Sequence, residues 1–352
     1  MDARSFVVVV TLFATAGIVT AGQARTPPPS PEARAAWEKH GLDPASRLEL
    51  RLRASSPVLQ ELFAETTTQP TSYVLSDADR RQISAAFAAL PPLHRRVLQE
   101  RLRSLVFFEG VAQTGLALPL ERDAPYPLFD IAIRATVLRQ TLSELATTQD
   151  RRHFVEAGST ARVSIETGGA NALLFVLLHE ATHVVDRVLA LSPRIDADGR
   201  AVAGVASTPF TGGIWVDWQT HEPAIGHGAL DAIRLHPGKR APMAHAADVY
   251  TALSGTPFAS LYGSANWSED LAELVAWHHL TEKLGYPYRI AIRDGDRTTF
   301  SYEPMHAPLV RARFGQLARF YAAPDDAVTG GRRSPRPGAA GPHRRAPTGA
   351  AR

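Results

Sequence analysis

Residues 179–183 read His-Glu-Ala-Thr-His, inside an apolar run that begins at Leu173 and reaches Val185. No other stretch constrains the fold as tightly. On an α-helix, residues four apart share a face, so His179 and His183 can grip one metal ion. Glu180 then stands beside that ion, placed to take a proton from a bound water. The flanks support a helix: Gly168, Gly169 and Asn171 precede the run as breakers and cap, and neither Pro nor Gly interrupts residues 172–191. Ionisable groups in so apolar a helix are costly unless paired or bound to metal. The plainer reading is a helix with two hydrogen-bonded core histidines.

The 352 residues suffice for one large domain or two smaller ones. The formal net charge of +3 is small, and no aromatic–basic interleaving accompanies the arginines, so no nucleic-acid partner is expected. There is no cysteine. That excludes disulfides, thiolate ligands, a Cys nucleophile and lipoprotein modification. Residues 1–24 read as a secretory signal peptide: Arg4, an apolar stretch over 6–19, then the small residues Thr20, Ala21, Gly22 and Ala24. Cleavage is expected near Ala21 or Ala24. The stretch is short for a membrane span, so no stable insertion is expected after cleavage. The expected location is the bacterial periplasm or the outside of the cell.

Residues 25–31 form a proline-rich spacer. Residues 32–150 read as mostly helical, with helix starts at Pro31 and Ser76, a helix from Pro92 to about Phe108 and another within 126–145. Residues 151–323 form the expected core. Its strands are expected at 162–166, 213–218 and 289–292, its helices at 172–191, 268–284 and 308–321. Residues 324–352 lack large apolar side chains almost entirely and read as a disordered basic tail.

A catalytic zinc has three protein ligands and a water. The metzincin extension requires a third His six residues after the second, and that position is Leu189. Asn266-Trp-Ser-Glu-Asp-Leu-Ala-Glu273 offers the better source. Glu269 and Glu273 share one face of a mostly apolar helix, where two carboxylates repel unless something positive neutralises them. An exposed acidic stripe at a helix start is the alternative.

A helix bearing H-E-x-x-H followed by one bearing E-x-x-x-E resembles the gluzincin group of zinc metallopeptidases. The resemblance covers about residues 160–285. It implies that Glu269 is the third ligand and that Glu273 hydrogen-bonds His179. The E-x-x-A-E form is similar to the anthrax lethal factor-like peptidases, which also have a tyrosine seven residues before the ligand glutamate; Tyr262 stands there. Asp186, three residues after the second His, resembles the Mlc titration factor A family and is expected behind the site or paired near Arg187.

The fold class implied is α+β, predominantly helical, with a zincin-like catalytic core and a small sheet packed on the H-E-x-x-H helix. The function implied is an exported zinc-dependent endopeptidase acting on a peptide or protein substrate. One Zn²⁺ would sit on His179, His183 and Glu269, with Glu180 as general base. Tyr262 is the first choice of oxyanion donor, with His221 and His227 as alternatives. Residues 163–166 are the expected substrate-binding edge strand. His278 and His279 are expected to be structural. The competing function is a catalytically silent zinc-binding or interaction module. Oligomeric state is not legible in the sequence.

Overall fold

The computed structural model describes residues 28–64, 69–196, 201–202, 207–225, 228–233 and 240–322. The expected signal segment, residues 25–27 of the spacer, the tail and His227 lie outside these residues. Helix exceeds strand, at about 46 % against 18 %.

Helix α1 (Pro31–His40) starts under a Ser30 side-chain cap and stops at Gly41, whose φ of 59° suits glycine. A 3-10 turn and α2 (Pro57–Ala64) follow, then β1 (Thr71–Ser72). Helix α3 (Asp77–Ala89) opens with a capping box of Ser76 and Asp79. Helix α4 (Pro92–Arg101) ends at Arg101 and does not run on to Phe108, because β2 (Leu102–Glu109) begins at once. After β3 (Gly115–Pro119), residues 129–134 form β4 (Phe129–Arg134), where a helix is expected from sequence. Both misread segments are buried on two faces, so their apolar residues run continuously and do not alternate. The first helix past them is α5 (Leu142–Arg151), with its own capping box of Thr141 and Glu144.

Strand β5 (Phe154–Val155) precedes β6 (Ala161–Glu166) and α6 (Ala172–Leu189), the helix carrying residues 179–183. Strand β7 (Ala241–Pro242) pairs with β5. Then come α7 (Ala246–Ser254), α8 (Trp267–His278) extended by a π turn, β8 (Arg289–Asp294), β9 (Arg297–Tyr302) and α9 (Pro308–Arg311). The expected strand at 213–218 is a set of turns with a single bridge, Trp215 to His221. The expected last helix is split into α9 and a 3-10 segment, Phe314–Phe320.

Among the described residues, one sheet has the order β1-β2-β4-β3 and another the order β6-β8-β9. One continuous core joins Leu48, Leu105 and Ile131 to Leu177, Leu274 and Phe320. It crosses residue 150 without a break, so the expected boundary there does not separate two packing units. Helix α6 is buried nearly all round, from Ala172 through Asp186, as a helix at the centre of a domain must be. Helix α2 covers the opposite face of the first sheet through Leu59 and Phe63, set against Val106, Phe108 and Ala132.

Two edges matter for the site. The outer backbone of β6 is occupied: Thr147 Oγ1 accepts from Ile165 N at 2.8 Å, and Arg151 donates to the Val163 carbonyl at 2.9 Å. The expected substrate strand is thus capped by α5. Among the described residues, strand β3 is an edge of the first sheet. Cross-strand bonds from Arg134 N to Thr114 O and from Leu120 N to Leu128 O set its phase. Gly115, Ala117 and Pro119 therefore turn their backbone groups away from β4. Among the described residues no helix is long and apolar enough to cross a membrane.

Candidate metal centre

Asn171 caps α6 by accepting from Leu173 N at 2.7 Å. Two turns on, the rings of His179 and His183 meet with their Nε2 atoms 3.2 Å apart. Helix α8 crosses α6 and delivers Glu269, whose Oε2 lies 3.0 Å from His179 Nε2 and 3.5 Å from His183 Nε2. Zinc bonds of 2.0–2.1 Å at tetrahedral angles place ligand atoms about 3.3 Å apart. The three separations match that edge length. Among the described residues these three form a group able to hold a metal ion.

The electrostatics ask for a cation at the same point. Burial pulls both histidines down, yet Glu269 outweighs it at each, assisted by Glu273 at His179, and both pKa values end up raised. Burial pushes Glu269 up, and the two imidazoles pull it well below the carboxylate range. A buried carboxylate so depressed is held by positive charge, which protons supply when no metal does.

Glu273 lies on the other side of His179. Its Oε1 is 3.1 Å from His179 Nδ1, and its Oε2 accepts from Ser260 Oγ at 2.7 Å and Trp277 Nε1 at 2.9 Å. With Nδ1–H donating to Glu273, the Nε2 lone pair faces Glu269 and His183. The neighbouring Asp270 anchors α8: Arg313 grips both its oxygens at 2.7 and 2.8 Å, and Trp215 Nε1 donates at 2.9 Å. Sequence reading misses both Arg313 and Trp215, which reach Asp270 from 43 and 55 residues away.

Glu180 is 7 % exposed and stands where β3 passes. A Cβ on Gly115 would fall within 2.8 Å of Glu180 Cγ and Cδ. Burial raises the Glu180 pKa, opposed by the two histidines and a hydrogen bond from the Ala117 backbone. A carboxylate raised in this way is a better base. Nothing in the sequence pattern marks Gly115, because its role depends on strand pairing.

Tyr262 stacks on His179, ring centroids 5.9 Å apart, and remains 41 % exposed at the rim. Burial and the surrounding carboxylates, Glu269 first among them, raise its pKa well above the usual range, so it stays protonated and able to donate. Asp186 gives both oxygens to Ser192, at 2.7 and 2.6 Å, closing the turn after α6 at Ala190. It bonds neither histidine directly, and Arg187 donates to the Arg122 carbonyl instead. His221 donates to the Ser264 carbonyl at 2.8 Å. His278 and His279 both meet the Tyr321 hydroxyl at 3.2 Å, away from the site.

Compared with known proteins, the chain matches no family model, no curated protein and no solved structure.

Proposed function

We propose that the chain is an exported zinc-dependent endopeptidase. The observation that carries this reading is the convergence of His179, His183 and Glu269 at tetrahedral spacing with Glu180 beside them. A site that merely stores metal has no use for a buried, base-like carboxylate next to it. A bound zinc supplies Lewis acidity, lowering the pKa of a water towards about 7 and polarising a carbonyl.

This chain's own residues do the rest. Glu180 accepts the proton of the attacking water and hands it to the leaving amine. Tyr262 donates to the oxyanion that develops on the scissile carbonyl. Glu273 fixes the tautomer and orientation of His179. The outward Gly115 backbone and the Ala117 carbonyl offer a short ladder to an extended polypeptide, ended by Pro119, which has no N–H to donate, while the Ala117 N–H is spent on Glu180. A rim formed by the partly exposed His183, Glu269 and Tyr262 suits a chain passing through the site, hence an endopeptidase.

The test is digestion of a peptide library by zinc-loaded wild type and Glu180→Ala in parallel. We expect cleavage by the wild type alone, while Glu180→Ala retains zinc. Equal cleavage by both overturns the role of Glu180. Zinc retention without cleavage by either favours a silent metal-binding module.

A further inference from the structure

Ser260 is 4 % exposed and lies nine residues before the ligand glutamate, outside every motif visible in the sequence. Its hydroxyl is used twice. It donates to Glu273 Oε2 at 2.7 Å and accepts from Gly263 N at 2.9 Å. These bonds join two parts of the site that the chain otherwise connects only through α8. Glu273 orients His179 from behind. Gly263 follows Tyr262, which stacks on that same imidazole from the open side.

The turn is pressed hard against α8. A Cβ on Gly263 would lie 3.3 Å from both Glu273 Cβ and Ser260 Oγ. Only a small hydroxyl side chain can act as donor and acceptor in such a space. We propose that Ser260 is a positioning residue that locks the Tyr262 turn to the carboxylate behind His179, so that oxyanion donor and metal ligand are held as one unit. The proposal rests on the peptidase reading for its catalytic meaning, but not for its geometry.

Removing the hydroxyl has two consequences. Glu273 loses one of its three donors and pulls harder on the His179 Nδ1 proton. Gly263 N loses its acceptor, so the turn bearing Tyr262 loses its hydrogen-bonded tie to Glu273. Substitutions behind a metal ligand typically weaken metal affinity 10- to 100-fold.

The experiment compares wild type with Ser260→Ala, Ser260→Thr, Tyr262→Phe and the Ser260→Ala/Tyr262→Phe double variant. Thr256→Ala is the matched control. The Thr256 hydroxyl is equally buried, bonds Leu253 O and Phe258 N, and closes a turn in the same segment without touching the site. The first readout is the ring-current shift that Tyr262 imposes on the His179 ring protons, measured by NMR in metal-free protein. The second is zinc affinity by chelator competition, and the third is the split of peptide hydrolysis into kcat and KM.

Ser260→Ala should lose the ring-current shift and weaken zinc binding about tenfold. It should lower kcat with KM little changed, and at saturating zinc cost nothing further in kcat on the Tyr262→Phe background. Ser260→Thr should restore the shift. Thr256→Ala should destabilise the fold yet keep shift and affinity. A wild-type shift in Ser260→Ala, or the same loss in Thr256→Ala, overturns the proposal. If the wild type holds no zinc, the peptidase reading falls, and the metal-free ring shift still decides the role of Ser260.

Discussion

At the residue scale, the site depends on one side chain that is missing. Gly115 leaves the space that the Glu180 carboxyl fills, so any Cβ there must push the base off its position. Gly115→Ala should therefore keep zinc affinity within about threefold and lower kcat by 10²-fold or more, the range lost when general-base catalysis is removed. Parallel zinc competition and steady-state kinetics check this, and unchanged kcat would contradict it. In the sequence a linear motif names His179, Glu180 and His183, helical spacing names Glu269 and Glu273, and only the resemblance to the lethal factor-like peptidases names Tyr262. Gly115 and Ser260 are named by none of these. One acts through a strand pairing and the other through a turn folded back onto a helix, and neither leaves a periodic trace.

At the element scale, α6 is fastened from outside the motif as well as within it. His94 of α4 is fully buried and sits 2.9 Å from Thr182 Oγ1, inside the His-Glu-Ala-Thr-His run. Thr182 spends its own proton on the Leu178 carbonyl, so His94 Nε2–H is the donor. Burial drives its pKa from 6.5 down to about 3. The unfolded chain takes up a proton below about pH 6.5, whereas the folded chain resists doing so until about pH 3. Stability is thus lost as pH falls through that window. At pH 4.5 the loss from His94 alone is about 2–3 kcal/mol. Urea unfolding of wild type and His94→Gln at pH 7 and pH 4.5 reads this directly. The variant should lose less on acidification by that amount, and an identical loss in both would show that His94 is not the source. Helix α6 is legible from its uninterrupted apolar run and the Asn171 cap, and α8 from its apolar run. Strands β2 and β4 were read as helix because central strands buried on both faces lack the alternation that marks a strand.

At the scale of the whole molecule, one core carries the site. The first sheet, α4, α6, α8 and the 3-10 segment Phe314–Phe320 all contribute to it. Its apolar side chains lie on both sides of residue 150, from Leu145 and Ala146 to Phe154 and Val163. Among the described residues the metal-ligating groups come from two helices of that core, α6 and α8. The zinc proposed for this group would need those helices crossed, so it would stabilise the folded state by mass action. At zinc 100-fold above its Kd the gain is about 2.7 kcal/mol. Chelation should lower the melting temperature on the order of 5 °C for a domain of this size. Thermal melts with and without chelator test this, with Glu269→Ala as the control that should not respond.

Both the peptidase reading and the role of Ser260 in catalysis presuppose metal on His179, His183 and Glu269. The most direct test is a competitive zinc titration of wild type, Glu269→Ala and Glu273→Ala. The geometry predicts one ion per chain in the wild type. Affinity should collapse in Glu269→Ala, which removes a ligand, and fall about 10- to 100-fold in Glu273→Ala, which removes the group orienting His179. Full affinity in Glu269→Ala with loss in Glu273→Ala, or no stoichiometric zinc in the wild type, would contradict it.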